Sequence, residues 1–330
     1  MTDRPPLLLH VGYHKTATTW MQRRLFQPEH GYRQLADHQE ISDRVERPTD
    51  LTFDPGPMRN LIADRMAQVA PGEVPVLSSE ILSGHPFQAG RDGAAMARRL
   101  ARIAPGARIL ISIRAQARIL PSVYMQYLLR GGTMPAERFF KGTKAPGYFG
   151  FDPVHFEYHR LVGLYQDLFG AGSVFVWTQE SIARDMEAAA HRLADFAGAE
   201  GFAGLTPEAR LVQSASYPEA GVGVLRRINH VQSSTLNPTP ILRLGRTPQG
   251  LYRVAGFLFR RPPLSRILAG RRPVGDLVAT RFAGHYAASN ADLARISAHP
   301  LDLDGYDLPP GPALDPATDA PRLDPALTGA

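Results

Sequence analysis

The stretch Leu7–Phe26, LLLHVGYHKTATTWMQRRLF, decides how the chain is read. Its apolar run, Leu7 to Gly12, has the character of a buried strand, and TTWMQRRLF after it has the spacing of a helix. A strand feeding a helix through a polar loop aims the backbone amides of Lys15 to Thr19 at one point, where the positive end of the helix dipole also lies. Such a point attracts an anion. Hydroxyls from Thr16, Thr18 and Thr19 and the ammonium of Lys15 would complete a cradle for a terminal phosphate. The plainer alternative is that Thr18 or Thr19 caps the helix and Lys15 is a surface lysine. A Walker loop requires Gly-Lys-Ser/Thr, whereas here His14 precedes Lys15 and the lysine stands ahead of the threonines.

Working outward, three more apolar runs alternate with helical patterns: VPVLSSE (Val74 to Glu80), ARILISIR (Ala107 to Arg114) and SVFVWT (Ser173 to Thr178). Helical spacing is found around Met58 to Ala70, in AAMARRLARIA and in FEYHRLVGLYQDLF. Apolar strands separated by helices predict an α/β fold, a three-layer α/β/α arrangement around a central parallel sheet. Ligands of such sheets sit at the carboxyl ends of the strands. Those ends carry His14 to Thr19, Ser78 to Glu80 and Arg114, which predicts one site assembled from distant segments.

The 330 residues and 44% hydrophobic content suffice for a large core. The chain has no cysteine, which excludes disulfides, thiolate chemistry and cysteine-ligated zinc. The start, MTDRPPLLLH, is too short in its apolar run for a signal peptide, and no window reaches the roughly 18 apolar residues of a membrane span. The expected location is therefore the cytoplasm. The net charge of +6 is carried largely by arginine, and from Ala220 to Arg281 the single acid is Asp276. This favours anionic partners or is a solvated arginine-rich surface. Nucleic acid is disfavoured, because no helix-turn-helix, zinc-finger or aromatic RNA-binding signature accompanies the charge.

HVGYHKTATTWMQ resembles the 5′-phosphosulfate loop of sulfotransferases that use PAPS, 3′-phosphoadenosine 5′-phosphosulfate. In that family a lysine likewise stands in front of the hydroxyl residues, within a Lys-Ser/Thr-Gly-Thr-Thr segment. Ala17 occupies the position where glycine is common, which alanine tolerates if the backbone there keeps a negative φ. ISIRAQARILPSVYMQYL resembles the family's 3′-phosphate motif, with Arg114 at the strand end and Ser122 eight residues on. An arginine fork and a helical serine suit a phosphate; an ordinary strand-end arginine is the alternative. The resemblance implies a P-loop nucleotide-hydrolase-like fold with a helical C-terminal extension. It implies that Lys15, Thr16, Ala17, Thr18, Thr19 and Trp20 hold the 5′-phosphosulfate, and that Arg114 and Ser122 hold the 3′-phosphate. Glu80, at the end of the second predicted strand, is similar in place to the family's general base, with His85 and His14 as the other candidates and a structural glutamate as the alternative. The glutamate enzymes' frequent lysine after the base is here Ile81.

The resemblance implies a sulfotransferase that moves a sulfuryl group from PAPS to an acceptor hydroxyl, without a metal. The acceptor expected from the glutamate and the C-terminal HYAASNADLARI, similar to a helix of bacterial members, is a carbohydrate or glycolipid. The competing readings are an ATP-dependent phosphoryl transferase with an irregular P-loop and a noncatalytic protein binding anions or a membrane surface. A single domain is expected over residues 1–309, with an arginine-rich helical insert at about 220–281 and a disordered tail at 310–330. Arg243, Arg246, Arg271 and Arg272 are candidates for a further 3′-phosphate contact. His155 and His159, at helical spacing, would bind a metal or lie on a solvated helix face, the second being favoured. His10 and His14 share that spacing but are separated by the change from strand to loop. LYRVAGFLFRRPPLSRILAGRRP mixes arginine with apolar residues and reads as an arginine-fringed core helix or as a contact with a membrane or glycolipid, peripheral at the inner face, the first being favoured.

Overall fold

A computed structural model describes residues 5–144, 150–211, 218–268 and 270–310. The tail expected to be disordered lies outside the described residues from 311 onward. Four strands fall within the four apolar runs: β1 (Leu8–Gly12), β3 (Val74–Ser79), β4 (Arg108–Ile113) and β5 (Val174–Thr178). A fifth, β2 (Tyr32–Gln34), was not expected and forms one edge. The sheet is wholly parallel in the order β2-β3-β1-β4-β5, so β1 lies at the centre with β3 and β4 on its two sides.

Alternation along each strand divides the core in two. Leu9 and Val11 of β1, Leu77 of β3 and Ile109, Ile111 and Ile113 of β4 face one side. Leu8, Val74, Val76 and Leu110, with Phe175 and Trp177 of β5, face the other. Because both faces are apolar, both must be covered, and this is why the strands read as continuous hydrophobic runs. The helices Gly93–Ile103 and Tyr158–Phe169 contribute Met96, Leu100, Val162 and Tyr165 to the first layer. On the second layer the helix Met186–Ala197 lays down Leu193 together with Ala189, Ala190 and Ala194, three small residues that let it approach the bulky Phe175 and Trp177. The result is an α/β/α arrangement.

The helix expected after β1 is a single α-helical turn, Thr18–Trp20, widening into a π-helical Met21–Leu25. The carbonyl of Gln22 accepts from the side-chain amides of Gln27 and Gln34, both at 2.6 Å, which satisfies it outside the ordinary helical ladder. Further on, the helices Val222–Asn229 and Pro273–Arg281 pack on the helix Gln116–Leu129. Buried Asn229 fastens the first of them: its amide donates to the carbonyls of Leu128 and Gly132, each at 2.8 Å, and its carbonyl accepts from Thr247. Among the described residues no helix is long and apolar enough to cross a membrane.

Candidate functional site

At the end of β1, Gly12 has no room for a side chain: a Cβ would lie 2.8 Å from both Ser112 Oγ and Thr18 Oγ1. The chain then turns sharply, with φ of 71° at Lys15 and 67° at Ala17. The loop therefore does not meet the condition, a negative φ, under which alanine is tolerated at position 17. Ala17 is the helix N-cap, its carbonyl accepts from the amides of Trp20 (2.9 Å) and Met21 (3.1 Å), and it lies in the left-handed region. For a residue with a Cβ this costs roughly 1–2 kcal/mol. Left-handed turns at alternate residues gather backbone amides on one side in an anion-binding concavity. The amides of Lys15, Thr16, Ala17, Thr18 and Thr19 have no acceptor among the described residues.

The hydroxyls divide by role. Thr16 is fully buried and its Oγ1 donates to the carbonyl of Tyr13 at 2.6 Å, so it braces the loop from beneath. Thr18 Oγ1 is buried without a partner, and Thr19 is exposed. Trp20 turns inward, its indole N–H donating to the carbonyl of Ala209 at 2.6 Å. Its backbone amide is also taken, by Ala17, so Trp20 has no donor left for a ligand.

Below the loop runs a buried chain of hydrogen bonds whose direction is determined. Thr16 gives its one proton to Tyr13, so Ser112 Oγ must donate to Thr16 Oγ1 (2.7 Å). Ser112 then accepts from His10 Nε2 (3.0 Å), which leaves Nδ1 to accept from Ser78 Oγ (2.7 Å). Ser78 in turn accepts from the side-chain amide of Gln22 at 3.2 Å. His10 is thus a neutral Nε2–H imidazole, and burial pushes its pKa down to about 3.

Glu80, half-buried, begins the 3-10 turn Glu80–Ser83 that follows β3. Ser83 Oγ ties this turn to β1 by donating to the carbonyl of Gly12 at 3.1 Å. The Lys15 ammonium is shifted below its ordinary value, first by desolvation; Glu80 opposes the shift, and Arg130 and Arg114 add to it. Lys15 is exposed overall, so solvent screens these effects. The cations and the carboxylate that act on it nevertheless come from the ends of the two strands flanking β1, Arg114 after β4 and Glu80 after β3, and from Arg130 at the end of the helix Gln116–Leu129. Spacing gave no sign of Arg130.

On the other side of β1, Arg114 Nη1 donates to Ser122 Oγ at 3.2 Å. Tyr158 Oη donates to the Arg114 carbonyl at 2.6 Å and holds the strand end in place. Buried Glu180 accepts from the Ala115 amide (3.3 Å) and from Tyr306 Oη (3.2 Å), and lies 3.9 Å from Arg118 Nη1. Desolvation lowers the Arg114 guanidinium pKa, Glu180 opposes this and Arg118 adds to it. Arg118 and Glu180 were not found from sequence. Arg118 sits one turn before Ser122, a helical spacing that could have drawn attention to it.

Three histidines gather behind the loop. The rings of His14 and His85 are 5.5 Å apart and His155 lies 4.9 Å from Tyr13. Burial lowers the pKa of all three, that of His155 to about 3, so they are neutral near pH 7. His155 belongs to the 3-10 turn Pro153–Phe156 and packs on Tyr13, while His159 shares a 2.8 Å hydrogen bond with Ser289. They therefore form neither a facing pair nor a solvated face. Among the described residues no three acidic or histidine side chains are grouped to hold a metal ion. Arg243, Arg246, Arg271 and Arg272 are exposed in the helical insert.

No family model matches the chain, and the curated proteins contain no match. Among solved structures the chain is similar to sulfotransferases. One is a sulfotransferase from Alicyclobacillus acidocaldarius, 21% identical, with 69% of this chain and 93% of that one covered at a TM-score of 0.45. Another is mouse sulfotransferase SULT7A1 complexed with PAP, 10% identical over 88% of each chain at a TM-score of 0.35. Overlaps of this size assign no residue a role, and the site stands on its own geometry.

Proposed function

We propose that the chain is a PAPS-dependent sulfotransferase acting on a hydroxyl. One arrangement carries the reading: free loop amides after β1 lie next to the Arg114–Ser122 pair at the end of β4, with Glu80 at the end of β3 on the other side. The donor set suits a nucleotide with phosphates at both ends. The amides of Lys15 to Thr19, with the unpartnered Thr18 hydroxyl, fit the 5′ group, and a guanidinium paired with a hydroxyl fits a 3′-phosphate.

In this reading PAPS supplies the sulfuryl group, and the chain supplies position and charge. Glu80 takes the proton of the acceptor hydroxyl as its oxygen forms a bond to sulfur, while the bond from sulfur to the phosphate oxygen breaks in line. Lys15 stabilises the negative charge that collects on that departing oxygen. His14 and His85, kept neutral by burial, are the competing proton acceptors. A carbohydrate or glycolipid hydroxyl is the acceptor class we favour, on the glutamate at this position.

The deciding measurement is thermal stabilisation by adenosine 3′,5′-bisphosphate against 5′-AMP and Mg-ATP, repeated with Lys15→Ala and Arg114→Ala. Preference for the bisphosphate, reduced by both substitutions, is expected. Preference for Mg-ATP would move the site to phosphoryl transfer.

A further inference from the structure

The helix Gly250–Arg260 buries Tyr252, Ala255 and Gly256 against the rest of the chain and turns Leu251, Val254, Phe257 and Leu258 outward, each 45–57% exposed. These four lie at i, i+3, i+6 and i+7, a single stripe along the helix. The preceding loop adds Ile241 at 84% and Leu244 at 54%, and Ile267 in the following turn is 68% exposed. Gln232 holds loop and helix side by side: it donates to the Leu244 carbonyl (3.2 Å) and accepts from the Tyr252 amide (3.2 Å). An apolar surface of this extent is not an ordinary scatter of exposed side chains.

Its charge is as one-sided as its polarity. From Thr239 to Arg272 there are eight arginines and no aspartate or glutamate. Arg243, Arg246, Arg253 and Arg266 are exposed and have no acidic partner among the described residues. The Arg261 guanidinium sits 4.2 Å above the ring of Phe257, so a cation and an exposed aromatic form one unit.

We propose that this face docks on an anionic phospholipid surface, with the helix Gly250–Arg260 lying in the plane of the headgroups. Charge selects the occupant. A second copy of the chain would bring arginine against arginine, and a nucleic acid would leave Ile241, Val254 and Leu258 without a counterpart. An anionic bilayer takes both: acyl chains receive the stripe and headgroup phosphates receive the guanidinia. The insert is anchored to the candidate site, since the Leu236 amide donates to the Arg130 carbonyl at 3.3 Å. The docking itself is independent of the nucleotide reading.

The test is co-sedimentation of the full chain, without nucleotide, on vesicles of phosphatidylcholine alone or mixed with phosphatidylglycerol. Binding is expected only with the anionic lipid, and it should weaken as salt rises. Arg253→Glu with Arg266→Glu should weaken it about 25-fold or more, at about fivefold per arginine removed. Phe257→Ser with Leu258→Ser should weaken it at least about tenfold, with the protein still folded in a melting curve because half of each side chain is exposed. Absence of binding to anionic vesicles would overturn the proposal, as would variants that bind like the parent. So would a dimer in sedimentation equilibrium that Phe257→Ser dissociates while vesicle binding is absent, which would assign the face to self-association.

Discussion

Arg114 and Ser122, eight residues apart, are joined by a 3.2 Å hydrogen bond that links the end of β4 to the helix that follows it. The bond presents a guanidinium and a hydroxyl side by side, and Ser122 also donates to the carbonyl of Arg118 at 3.1 Å. If the pair receives a 3′-phosphate, the two residues contribute unequally. Arg114→Ala should weaken adenosine 3′,5′-bisphosphate binding by about 10- to 100-fold, and Ser122→Ala by less than about tenfold. Arg114→Lys should recover only part of the loss, because a point charge lacks the fork. Calorimetric titration reads all three, and equal affinity in Arg114→Ala would remove the pair from the site.

Glu80→Gln keeps size and hydrogen bonding but not basicity. Sulfuryl transfer should fall by about 10²- to 10⁴-fold while bisphosphate affinity stays within a few-fold of the parent. Full turnover in this variant would move the role of base to His14 or His85.

Ala17 sits at φ 67°, where a Cβ is unfavourable. Ala17→Gly should raise stability by about 1 kcal/mol in urea denaturation, and Ala17→Val should lower it. No gain from glycine would mean that the loop is not strained at this position.

His10 gives a pH signature. Its folded pKa of about 3 lies below the ordinary value of 6.5, so the unfolded chain binds its proton first as the pH falls. Stability is present in full above about pH 6.5 and is lost progressively down to about pH 3. Between pH 7 and pH 5 this group should remove about 2 kcal/mol. His155 acts in the same direction. Urea midpoints at the two pH values should differ less in His10→Gln than in the parent, even though that variant is less stable at pH 7; an unchanged difference would contradict the assignment.

What could be read in the sequence depended on how many neighbours each residue needed to betray its role. β1, β3, β4 and β5 are buried on both faces and announce themselves as apolar runs. β2 is three residues long and two of them, Arg33 and Gln34, are polar, so it left no pattern. Lys15, Arg114, Ser122 and Glu80 were legible because each follows a recognisable strand. Arg118, Arg130 and Glu180 are single charges on helices or at their ends, and on paper they look like solvated surface. The left-handed conformation of Ala17 was hidden because an alanine seldom adopts it and its side chain carries no sign of it.

The chain of hydrogen bonds through His10 has one more consequence. His10 pairs with Ser78 across β1 and β3, and Ser112 pairs with Gly12 across β1 and β4. A slip of one residue in either pairing would turn a serine to the opposite face of the sheet and strand a buried imidazole. The chain is thus a registration pin through the three central strands. The spacing of Lys15, Glu80 and Arg114 is set in the interior, by buried polar atoms beneath the loop.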